Sequence, residues 1–188
     1  KVTGNAAAST TNYYSKPTGN LELTSSWTTD APGGTGTAPS DFTTANQVFN
    51  IRNNATPTIG AAWTVSGSNS KIVIGDGTNA CNFTIPSGFA VSGTVDVSAN
   101  ATLTNTNTSN PTLGTLNATS TVVFNAAGAQ TVPIATYSNL SISNTGSSTA
   151  TAAGAITVTN ALTVSLGSTF DMSTFALSGA ALTTSGTG

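Results

Sequence analysis

Short apolar pairs return along this chain roughly every twenty-one to twenty-four residues, and that spacing limits the fold more than any other feature. Leu140 and Ile142 in NLSIS are followed by Leu162 and Val164 in ALTVS. Val132 and Ile134 are matched by Ile156 and Val158, and Ala101 and Leu103 by Val122 and Phe124. Ile72 and Ile74 are matched by Val95 and Val97. Within each pair the apolar residues alternate with others, the period of a half-buried strand. A repeat of this length that drifts by a few residues marks a solenoid, in which each coil stacks on the last and loops absorb the variation. A β-sandwich would give turn signals every 8–12 residues or so, without the longer register.

The spacing therefore predicts an all-β chain folded as a right-handed parallel β-helix. Segments such as NQVFNI (46–51), KIVIGD (71–76), GTVDVSA (93–99) and STVVFNA (120–126) are its strands. Glu, Lys, Arg, Gln and Met, the usual helix formers, are scarce. Val, Ile, Leu and Phe take the inward positions, and Phe124, Ile142, Val158 and Val164 are expected to stack in rows. Outward positions fall to Thr and Ser, which favour strands and tolerate water. Gly and Asn supply the corners, and Asn is a candidate for ladders between coils. Residues 46–188 give room for roughly six coils.

Residues 1–45 read differently. NYYSKPTGNLELTSSW carries two of the three tyrosines and one of the two tryptophans, and TTDAPGGTGTAPSDFTT is a long Gly/Pro-rich loop. A solenoid must cover its terminal coil, because an open row of N–H and C=O groups invites pairing. The segment is thus expected to be a cap over the first coil or an assembly arm. At the other end ALTTSGTG has no aromatic cap. Either more coils follow, or that end receives a neighbour. The expected contact is head to tail, between residues 1–30 of one copy and the coils from Phe170 to Leu182 of the next. Its assembly residues would be Tyr13, Tyr14, Trp27, Phe170, Phe175 and Leu182.

Charge decides which chemistries are open. The chain has four basic and six acidic residues and no histidine, against about a quarter charged in ordinary proteins. Basic residues at positions 1, 16, 52 and 71 cannot neutralise a run of phosphates, so no nucleic-acid partner is expected. No apolar run is long enough to insert in a membrane. A Ser–His–Asp triad is excluded. Asp76 and Asp96 lie about one repeat apart, so they would fall on adjacent coils and form a cation site with Asn79. Two solvated turn aspartates are the simpler reading, so no metal, cofactor or catalytic residue is expected. Cys81 has no partner for a disulfide and reads as a small strand or core residue. Asn-x-Ser/Thr triplets at Asn54, Asn82, Asn100, Asn107, Asn117 and Asn139 follow from the composition alone. Thr102, Thr104, Thr106 and Thr108 lie on one side of an extended run and raise an ice-binding reading. Tyr13, Tyr14, Trp27 and Trp63 raise a sugar-stacking one, with packing as a cap the favoured alternative.

The segments YYSKPTGNLELTSSW, GTAPSDFTTANQVFNIRN, WTVSGSNSKIVIGDG and YSNLSISNTG…GAITVTNALTVSLGSTFDMSTFALSG resemble the repetitive surface proteins of Bacteroidetes. The resemblance runs over nearly the whole chain. It implies a secreted, adhesin-like or filament-like protein of the bacterial cell surface, exported by a type IX route and folded as a right-handed parallel β-helix. A start at Lys1 fits a processed secreted chain. The expected function is structural and not enzymatic: a self-associating subunit or module of an extracellular filament or adhesin, forming a fibre. The alternative is an adhesive module that binds a glycan or ice.

With so few charges, stability should barely respond to ionic strength. Melting temperatures in low salt and in molar sodium chloride are expected to agree closely; a large drop would mean that ion pairs hold the coils.

Overall fold

The alternating segments become strands that pair with their equivalents one coil away, giving a parallel β-solenoid of about six turns in the computed structural model. The structure describes residues 9–31, 33–52, 56–179 and 182–185. Among them one 3-10 turn, Thr24–Ser26, is the whole helical content, and no helix is long and apolar enough to cross a membrane.

The first sheet runs Trp27–Thr28, Thr11–Ser15, Gln47–Ile51, Lys71–Ile74, Thr94–Val97, Thr112–Leu116. Its pairs are parallel except the first, where Trp27–Thr28 turns back on Thr11–Ser15. The second sheet stacks Cys81–Ile85, Ala101–Asn105, Thr121–Phe124, Thr136–Ile142 and Ile156–Ser165, and the last of these pairs with both Leu177–Gly179 and Leu182–Ser185. A third sheet holds Gln130–Val132, Thr149–Ala152 and Thr169–Asp171, and Trp63–Thr64 pairs with Val91–Ser92.

Every second residue of a strand faces the axis, so parallel register stacks the core in columns. Tyr13, Phe49, Ile72, Val95 and Leu113 make one column. Phe83, Leu103, Val122, Leu140 and Leu162 make another, all of them buried. Burial of each such side chain contributes about 1.5–3 kcal/mol. The first coils are filled by rings: Phe49 stacks on Tyr13 at 5.5 Å and meets Trp27 edge-on at 5.2 Å. Corners need left-handed backbone, and Asn46, Asn69, Asn100 and Thr119 supply it with φ of 60°, 59°, 62° and 65°. In the N-terminal segment Leu21 and Trp27 are fully buried, and the Trp27 indole donates to the Leu21 carbonyl at 2.8 Å.

Two of the expected registers are confirmed and two are corrected. Leu140 and Ile142 pair with Leu162 and Val164, and Ile72 and Ile74 with Val95 and Val97. Leu103 pairs with Val122, and Asn105 rather than Leu103 lies beside Phe124. A slip of two residues keeps the same face inward, so the burial pattern hid the error. Val132 pairs with Ala152, while Tyr137 is the partner of Val158. Ile134 is 65% exposed, because Pro133 starts a corner there whose carbonyl takes the Tyr137 hydroxyl at 2.6 Å. Val164, expected in the core, is only partly buried.

The corrected columns separate two isoleucines that look alike in sequence. Ile142→Ala should cost about 2–5 kcal/mol by cavity formation, whereas Ile134→Ala should stay within about 0.5 kcal/mol. Urea unfolding followed by circular dichroism checks the difference.

Candidate functional site

Outward side chains decide what a filled solenoid can touch, and the sheets differ in what they turn out. On the first sheet one outward column holds Tyr14, Asn50, Val73 and Asp96, and the next holds Val48, Lys71 and Thr94. Charge collects here. Arg52 lies 5.1 Å from the centre of the Tyr14 ring, and the Lys71 ammonium meets the Asp96 carboxylate at 2.7 Å. The other Asp96 oxygen accepts the Thr115 N–H at 2.7 Å. This is where the last strand of the sheet bulges between Leu113 and Leu116. A Cβ on Gly114 would run into the Asp96 carboxylate, so glycine leaves room for the group that ties the bulge down. Asp96 is a structural residue.

Asp76 does not join it. Register sets Asp96 beside Val73, and Asp76 lies in the turn after Ile74. There its carboxylate accepts the Asn79 and Thr78 N–H groups, both at 2.8 Å, and the Asn79 amide at 3.0 Å. These bonds hold its pKa down at about 2. The stacked pair of aspartates considered as a cation site is therefore corrected: the two carboxylates are used up in separate places. Only Asp76 is a turn aspartate, since Asp96 is buried within a strand. Among the described residues no three Asp, Glu, His or Cys side chains gather where a metal would fit. Asp41 is a second turn cap, held well below the usual carboxylate range by the Thr43 and Thr44 N–H groups and the Ser40 hydroxyl.

The remaining candidates sort by burial. Cys81 is half-buried with its sulfur 3.3 Å from the Ile51 carbonyl. Burial pushes its thiol up, away from the thiolate that reacts. Trp27 and Trp63 are buried and so offer no platform to a sugar. Tyr13 and Tyr14 are half-buried. Phe170 packs on the core, and Phe175 is exposed. The Leu182 side chain lies outside the described residues. An open apolar groove of about 190 Å3 lies between Pro57, Thr58, Ile59, Thr84 and Pro86 and holds no charged group.

The second sheet presents the most regular surface. One outward column is Asn82, Thr102, Thr121, Asn139, Ala161. Beside it runs Thr84, Thr104, Val123, Ser141, Thr163. All are short and none is charged or aromatic. Reading along the chain finds Thr102 and Thr104 but misses the rest, because the array runs across coils. The same reading wrongly extends it to Thr106, whose hydroxyl is spent on the Ile85 carbonyl at 2.8 Å.

The titration of this molecule rests on aspartates, since it lacks histidine. Asp76 falls from 3.8 to about 2 on folding. A depressed carboxylate stabilises the fold above its unfolded pKa, and that contribution is lost as pH falls through the folded value. Circular dichroism and melting temperature should therefore stay level from pH 8 down to about 4 and decline only toward about 2. A loss of structure between neutral pH and pH 5 would contradict this.

Set against protein-family models, curated proteins and solved structures, the chain matches none of them.

Proposed function

We propose that the chain is a structural module of an extracellular bacterial filament or adhesin, in which stacked coils supply length and modules join at coil ends. The observation that carries this reading is the parallel pairing of strand on strand through the described residues, which a second copy extends by the same backbone bonds. Leu177 takes the place after Ile156 in this stack. Ile156 is 1% exposed and Leu177 is 42% exposed, so Leu177 is an apolar side chain on which a second copy packs.

Of the residues of the expected head-to-tail contact, Tyr14 is half-buried on the outward face of its strand and Phe175 is exposed. Tyr14 of one copy meets Phe175 and Leu177 of the next. The contact is heterologous and propagates as a fibre. The reading assigns no catalytic role, and the sparsely charged, hydroxyl-rich exterior suits a secreted surface protein.

Negative-stain microscopy and sedimentation of the purified chain test the reading. Assemblies are expected, and Leu177→Lys should reduce them to monomers with an unchanged β signal. A chain that stays monomeric at every concentration overturns the reading, as does a Leu177→Lys variant that assembles as before.

A further inference from the structure

We draw no further inference here: the strongest candidate, the exposed apolar corner that Ile134, Phe175 and Leu177 form along the later coils beside Gly154, is an unpartnered face, and nothing in the structure shows what covers it.

Discussion

Backbone pairing between successive coils is the constraint on which the rest of this molecule depends. Each strand is short and carries little apolar surface of its own. Its N–H and C=O groups are satisfied only when equivalents lie above and below. That pairing fixes the register, and the register turns scattered valines and isoleucines into continuous columns. Neither term suffices alone: unstacked, a coil would leave both its backbone and its inward face in water. The corners show how strictly the spacing is kept. Asn69 donates to the side-chain oxygen of Asn46 at 3.2 Å, and both occupy the left-handed region. One coil's corner is the template for the next.

Inside another corner the chain runs a polar ladder through the stack. Asn107 donates to the Ser87 carbonyl at 3.0 Å, and Gln130 donates to the Asn107 carbonyl at 2.7 Å. Asn144 donates to the Gln130 oxygen at 2.8 Å, and Ser168 to the Asn144 carbonyl at 3.1 Å. Buried amides are costly when unpaired and specific when paired. These bind each coil to the one before it, where a purely apolar corner could slip. The coils vary in length, and the step from Leu103 to Val122 is shorter than the step from Leu140 to Leu162. Such pins supply the alignment that a constant repeat would otherwise give.

The period and the alternation carried the fold class in the sequence, because both are local patterns that survive small shifts. Coil length was less legible. Ala101 and Leu103 are equally good partners for Val122 by parity. Choosing Leu103 sends Asn105 inward beside Phe124, which is tolerable only because the Asn105 amide bonds to Ser109 and Asn110. Ile134 looked like a core residue because its spacing from Val132 matched the alternation, and the turn signal of Pro133 between them was outweighed by that parity. The hydroxyl array was half legible: Thr102 and Thr104 are close in the chain, but Thr84, Thr121 and Thr163 join them only through pairing. Trp27 was open between cap and arm, since sequence does not tell whether an aromatic folds over its own coil or projects; it is buried.

The low charge of the chain follows from the same stacking. Equivalent positions on neighbouring coils lie about 4.8 Å apart. Two like charges at that distance repel by about 1 kcal/mol even in water. A column of lysines or glutamates would accumulate that cost at every coil, while a column of threonines costs nothing and adds strand propensity. Charges survive where the geometry opposes them, as in Lys71 and Asp96 across adjacent strands, or where a turn lifts them out of the columns, as at Asp76 and Asp41. The composition that excludes most side-chain chemistry is thus a result of the fold.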